Sequence, residues 1–135
     1  MEIKKFLYTI VFLAFGAIVF NSCNAQSSSD NQSFININES DFREKMTDEN
    51  VLVIDVRTPA EVSEGYIKGA NFFINYNGSD FEKKIESLDK NKSYIVYCRS
   101  GARSAKASYY LSQNGFKNVY NLEGGISGYS GEIIK

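Results

Sequence analysis

The chain has 135 residues, 43% of them hydrophobic, with 15 Lys and Arg against 16 Asp and Glu and no histidine. That length holds one compact domain and excludes a second independent core. The near-zero net charge, without long blocks of one sign, argues against a nucleic-acid footprint. The missing histidine excludes His-based triads, Cys–His dyads and the usual zinc and non-haem iron ligand sets.

The chain opens with Lys4 and Lys5, followed by a nearly unbroken apolar stretch from Phe6 to Phe20. This is shorter than the about 20 residues of a membrane span and fits the apolar core of a signal peptide. It ends in "VFNSCNAQ", where the small Ser22 precedes Cys23 and a polar tract runs on to Ser33. The pattern resembles a bacterial lipoprotein signal, with residues 1–22 removed and Cys23 lipidated as the first mature residue. Phe20 stands where such signals usually carry an aliphatic residue. Cleavage after Ala25 and an uncleaved anchor are the alternatives. The expectation is an exported lipoprotein, periplasmic or outer-membrane associated, whose residues 23–33 form a polar linker reaching about 18 Å.

From Phe34 to Lys135 short apolar runs alternate with amphipathic ones. Residues 34–37 read as a strand and 40–48 as a helix capped by Ser40. "VLVIDV" (51–56) is a β-branched run of the kind covered on both faces of a sheet. Residues 58–65 form a short helix with Thr58 as cap, Pro59 at the first turn and Gly65 as stop. Residues 70–74 read as a weaker strand. "SDFEKKIESL" (79–88) reads as a helix with a capping box of Ser79 and Glu82. "SYIVYC" (93–98) is the second strong strand, 104–114 a helix closed by Gly115, and 119–122 a last strand before a Gly-rich tail. The alternation predicts an α/β sandwich around a mainly parallel sheet, with ligands outside the carboxyl ends of the strands.

Two strand ends carry chemistry, at Asp55–Arg57 and at Cys98–Arg103. With Cys23 acylated, Cys98 is left without a disulfide partner in an oxidising compartment, so it is either buried and inert or kept for reactivity. A strand that turns through "RSGAR" into a helix gathers backbone N–H groups and a helix N-terminus at one spot. Gly101 lets the loop curl, and Arg99 and Arg103 add full charges. All of this favours thiolate over thiol without a histidine base. The bland reading is a small core cysteine that only packs.

The segments "VIDVRTPAEVSEGYIKGA" (53–70), "IVYCRSGARSAKASYYL" (95–111) and "GFKNVYNLEGGISGY" (115–129) together resemble the rhodanese family of sulfurtransferases. The resemblance implies a rhodanese-like three-layer sandwich in which Cys98 takes a sulfane sulfur from an anionic donor such as thiosulfate. Cys98 would hold it as a persulfide and pass it to a thiophilic acceptor. Arg99, Ser100, Gly101, Ala102, Arg103 and Ser104 would form the anion cradle, and Asp55 and Arg57 would support it, with Asp55 orienting an arginine or a loop amide. A structural surface ion pair is the other reading of Asp55 and Arg57. No cofactor and no metal is implied, and a monomer is expected. Tyr66, Lys68 and Tyr129 depart from the family's usual His, Pro and Trp. Tyr94, Tyr97, Tyr109 and Tyr110 read as core or helix packing, and Lys83, Lys84, Lys90 and Lys92 as a solvated face.

Two rivals remain at this level. Cysteine phosphatases and arsenate reductases resemble Cys-x5-Arg, whereas this chain has the shorter Cys98-x4-Arg103. A persulfide carrier or interaction module of the same fold would share every motif with a turning-over enzyme.

Overall fold

The computed structural model describes residues 33–135; the expected signal peptide, Cys23 and all of the expected linker but Ser33 lie outside them. Five parallel strands form the central sheet: β1 (Ile35–Ile37), β2 (Val51–Asp55), β4 (Phe72–Phe73), β5 (Ser93–Tyr97) and β6 (Asn118–Leu122), in the order β1-β6-β5-β2-β4. Helices α1 (Glu39–Lys45), α2 (Pro59–Ser63), α3 (Phe81–Glu86) and α4 (Ala102–Gln113) connect them. The expected α/β sandwich around a parallel sheet is the observed architecture.

Alternation along the central strands divides the core in two. Val53, Ile95, Tyr97 and Leu122 point to one face and pack with Phe42 of α1 and Ile67. Ile54, Tyr94, Val96 and Cys98 point to the other and pack with Ile85 of α3 and Ala107 and Leu111 of α4. The apolar runs of β2 and β5 are therefore continuous because both faces are covered. Their register sets Asp55 beside Tyr97, so both strands reach the carboxyl edge of the sheet together and the next residue of β5 is Cys98.

Several boundaries differ from the sequence reading, each for a local reason. α1 is capped by Asn38, whose Oδ1 accepts from the Asp41 N–H at 2.9 Å, and not by Ser40. α3 starts after Asp80 with no side-chain cap, so Ser79 and Glu82 form no capping box. α2 is capped as expected by Thr58 and also has the reciprocal partner Glu61. α4 begins at Ala102, which moves Arg103 and Ser104 into its first turn. The tail holds β7 (Ile133–Ile134), which pairs antiparallel with β3 (Tyr66–Ile67) as a separate two-stranded sheet. Among the described residues no helix is long and apolar enough to cross a membrane.

Candidate active site

The chain leaves β5 at Cys98 and turns through Arg99, Ser100 and Gly101 into α4. Gly101, with φ +102°, takes the left-handed turn that brings its own N–H back to the sulfur. That N–H donates to Cys98 Sγ at 3.2 Å, and the Ser104 hydroxyl donates to it at 3.4 Å. The thiol is free and only 1% exposed. Burial alone pushes its pKa up. The Ser104 hydroxyl and the N–H groups of Ser104, Gly101 and Ser100 outweigh burial and hold it below the ordinary thiol value. Four donors aimed at one sulfur make an anion cradle, because each bond is stronger to the thiolate than to the thiol. Ser104→Ala removes the largest favourable contributor. Its Cys98 alkylation by iodoacetamide should reach half-maximal rate at a higher pH than wild type; an unchanged midpoint would count against the cradle.

Arg103 does not stand free over the loop. Its guanidinium is clamped in a bidentate pair by Glu61, Nη1 to Oε2 and Nη2 to Oε1, both at 2.8 Å. Glu61 in turn accepts from the Thr58 N–H at 3.1 Å and the Thr58 hydroxyl at 2.9 Å. The α2 cap is thus also the holder of the arginine beside Cys98. The Thr58-x-x-Glu61 spacing was the available signal for Glu61, which the sequence reading did not single out. Hydrogen bonding from Arg103 and Thr58 outweighs burial and draws the Glu61 carboxyl down to about 2. With the folded pKa below the unfolded one, the pair's stabilisation is complete above pH 4.5 and is lost as pH falls toward about 2. Thermal unfolding between pH 5 and 2 should show this acid-labile component in wild type and lack it in Glu61→Gln.

Asp55 and Arg57 form a buried pair, 0% and 6% exposed, which overturns the surface ion-pair reading. Arg57 donates from Nη2 to Asp55 Oδ2 at 2.7 Å and from Nε to both carboxylate oxygens at 3.0 and 3.1 Å. Its remaining donors reach the carbonyls of Gly65 at 2.8 Å and Glu61 at 3.3 Å. Burial opposes the Arg57 charge, and the Asp55 bonds more than compensate, leaving its pKa raised. The Tyr97 hydroxyl donates to Asp55 Oδ2 at 2.7 Å and accepts from the Ile67 N–H at 3.1 Å. Burial and the neighbouring carboxylate push the Tyr97 phenol far up, so it stays protonated. The arginine that Asp55 orients is therefore Arg57 and not Arg103, and no bond links the Asp55 side chain to a Cys98 loop amide. Its influence on the loop runs through α2: Arg57 holds the α2 backbone, and α2 carries Glu61.

The turn after β6 closes the loop from outside. Ile126 N–H donates to the Cys98 carbonyl at 2.9 Å and Ser127 N–H to that of Arg99 at 3.0 Å. Gly125 lies so close beneath that a Cβ would collide with the carbonyls of Cys98 and Arg99, and its φ of +56° also suits glycine. Ser100 and Ala102 are exposed on the loop's outer side. Arg99 is exposed on the rim of a cleft of about 270 Å³ that it shares with Arg57, Glu61, Glu64, Ile126 and Ile133.

The three departures from the family pattern pack away from the thiol. Tyr66 stacks edge-on against Phe73 at 4.8 Å, Lys68 pairs with Glu132 at 2.7 Å, and Tyr129 meets Phe42 edge-on at 5.6 Å. Tyr94 and Tyr97 are core residues as expected, whereas Tyr109 is 53% exposed. Lys83, Lys84 and Lys90 are exposed, and Lys92 is half-buried with its Nζ on Asn50.

Residues 38–132 match the family model for the rhodanese-like domain. YtwF of Bacillus subtilis, a protein that carries a sulfurtransferase name, is 44% identical over 92 residues, 67% of this chain and 85% of that protein. The tRNA uridine(34) hydroxylase of Pelagibacter ubique is 36% identical over 108 residues, 80% of this chain but 36% of that longer protein. The solved rhodanese-related protein of Thermoplasma volcanium superimposes with a TM-score of 0.65 at 33% identity, covering 75% of this chain and 98% of that one. A cysteine at the end of the central strand, cradled by its own loop and backed by this extent of sequence and structural agreement, places the chain in the rhodanese-like domain family.

Proposed function

We propose that the protein is a sulfurtransferase that moves a sulfane sulfur from a small anionic donor such as thiosulfate to a thiophilic acceptor through a persulfide on Cys98. The observation that carries this reading is the cradle of Ser100, Gly101 and Ser104 donors that lowers the pKa of a buried thiol. The Cys98 thiolate attacks the outer sulfur of the donor, forming one S–S bond while the donor's own S–S bond breaks and sulfite leaves with the electron pair. The persulfide's terminal sulfur then lies among the same N–H groups. An acceptor nucleophile attacks that sulfur and returns Cys98 as thiolate, a two-step covalent exchange.

The clamp on Arg103 favours this reading over phosphate-ester chemistry. Nη1 and Nη2 of Arg103 both donate to Glu61, so its end-on fork is taken and its charge is partly neutralised by the carboxylate, which weakens it as a clamp for a tetrahedral oxyanion. Arg99, exposed on the cleft rim, is the group left to attract an anionic donor. Purified protein given thiosulfate and cyanide should form thiocyanate and sulfite with the parallel double-reciprocal lines of a ping-pong enzyme. Persulfide loading without turnover would assign it a carrier role, and hydrolysis of a phosphate ester in place of sulfur transfer would overturn the proposal.

On the sequence pattern of residues 1–33 we also propose that Cys23 carries lipid and that the domain works at a membrane surface. Sulfur transfer does not depend on this second reading.

A further inference from the structure

Three large hydrophobic side chains are left exposed among the described residues: Ile35, Phe73 and Tyr109. Tyr109 lies where the chain enters the domain, whereas Ile35 lies on the α1 side of the sheet. Ser33 Oγ shares a 2.6 Å hydrogen bond with Ser112 Oγ and accepts from Gln113 Nε2 at 3.0 Å, which pins the entry point to the outer face of α4. Phe34 follows immediately and lines an open groove of about 560 Å³ with Tyr76, Lys106, Tyr109, Tyr110 and Gln113. None of these residues belongs to the Cys98 network. Phe73 lies on β4, at the far edge of the sheet from β1, four inter-strand spacings or about 19 Å away.

We propose that this α4 groove is the face with which the domain rests on a phospholipid bilayer, the bilayer in which the lipid on Cys23 is inserted. The chain enters the domain at Ser33, beside this groove, so a lipid on Cys23 draws this side of the domain toward the bilayer, while Phe73, whose strand neighbour Phe72 packs on the α4 side of the sheet, points to the opposite face. The groove's chemistry suits that depth. Its tyrosines combine an apolar ring with a polar hydroxyl, and exposed Lys106 adds a positive charge to its lining, residue types suited to a membrane–water interface. Glu86, which accepts from the Tyr110 hydroxyl at 3.3 Å, marks the polar border of the patch. Contact is therefore aromatic and interfacial, and it does not need anionic lipid. The proposal rests on lipidation of Cys23 and is independent of the sulfur chemistry.

The chain contains no tryptophan, so single-tryptophan reporters are unambiguous. Residues 23–135 carrying Cys98→Ser would be coupled through Cys23 to a maleimide phospholipid in phosphatidylcholine vesicles containing brominated acyl chains. The central sheet and both core clusters lie within the described residues 33–135, and the matched Thermoplasma volcanium chain is covered to 98%. One form carries Tyr109→Trp and the other Phe73→Trp, both at exposed positions. Trp at 109 should emit at shorter wavelength on coupling and lose about half its intensity to the bromines, as an interfacial aromatic does, while Trp at 73 keeps its intensity. Equal quenching of the two, or none at 109, would overturn the proposed orientation. So would a full-length chain, expressed with its own leader in a Gram-negative host, whose Cys23 carries no lipid by mass spectrometry.

Discussion

Asp55→Ala should lower stability by about 3–5 kcal/mol, the usual cost of removing one partner from a buried ion pair. In a domain of this size that corresponds to a fall in Tm of at least about 12 °C. The size follows from what is stranded. Arg57, 6% exposed, loses three side-chain hydrogen bonds and its only carboxylate partner, and the buried Tyr97 hydroxyl loses its acceptor. Such a loss is a large part of the about 5–15 kcal/mol that holds a domain folded. The damage should reach the site as well. Arg57 anchors the carbonyls of Glu61 and Gly65, so a loosened α2 carries Glu61, and with it Arg103, out of position. Asp55→Asn keeps the shape and some of the bonds and should fall between. Thermal and urea unfolding of the three proteins measure this directly, and a Tm within about 4 °C of wild type for Asp55→Ala would refute the network as drawn.

Cys98→Ala should abolish sulfur transfer while leaving a folded protein. The side chain is small, and its loss empties a space smaller than most core truncations leave, at a cost of about 1 kcal/mol. The chemistry has no substitute nucleophile: Ser104 is the nearest hydroxyl, and a hydroxyl's pKa lies far above any that three N–H groups bring near neutrality. Cys98→Ser should be equally dead for the same reason, although it keeps a hydrogen-bonding atom in the cradle. Circular dichroism matching wild type, together with complete loss of thiocyanate formation, is the expected pair of results.

The parts of the fold that were readable in the sequence are those where one physical signal dominates. "VLVIDV" and "SYIVYC" are apolar on both faces because both core clusters cover them, and Thr58-Pro59 starts a helix by cap and φ preference together. What was not readable rests on contacts between distant segments. β3 and β7 have two residues each and exist by pairing Tyr66 and Ile67 with Ile134 and Ile133 across the chain. Asn38 caps α1 in place of Ser40 because the helix already begins at Glu39: Asn38 is the extended residue whose side chain accepts from the Asp41 N–H, and Ser40 lies within the first turn.

The site divides in the same way. Cys98, Gly101, Arg103 and Ser104 could be picked out because a strand, a glycine turn and a helix start coincide there. The partners of those residues could not. Arg99 and Arg103 read as free charges beside the thiol, and only the structure shows Arg103 clamped by Glu61; a pair of Asp55 with Arg57 was one of the sequence readings, and what the structure adds is its burial. Gly125 read only as part of a Gly-rich tail and is the close contact that lets Ile126 and Ser127 hold the loop's carbonyls.

The central claim is that Cys98 carries the sulfur, and intact-mass spectrometry of residues 26–135 before and after thiosulfate tests it most directly. The account predicts a gain of about 32 Da on wild type, one sulfur atom held as a persulfide. Cyanide should reverse the gain with release of thiocyanate, and Cys98→Ala should not show it. A wild-type protein that gains no mass from thiosulfate or from polysulfide, or a Cys98→Ala variant that gains it equally, would contradict the account.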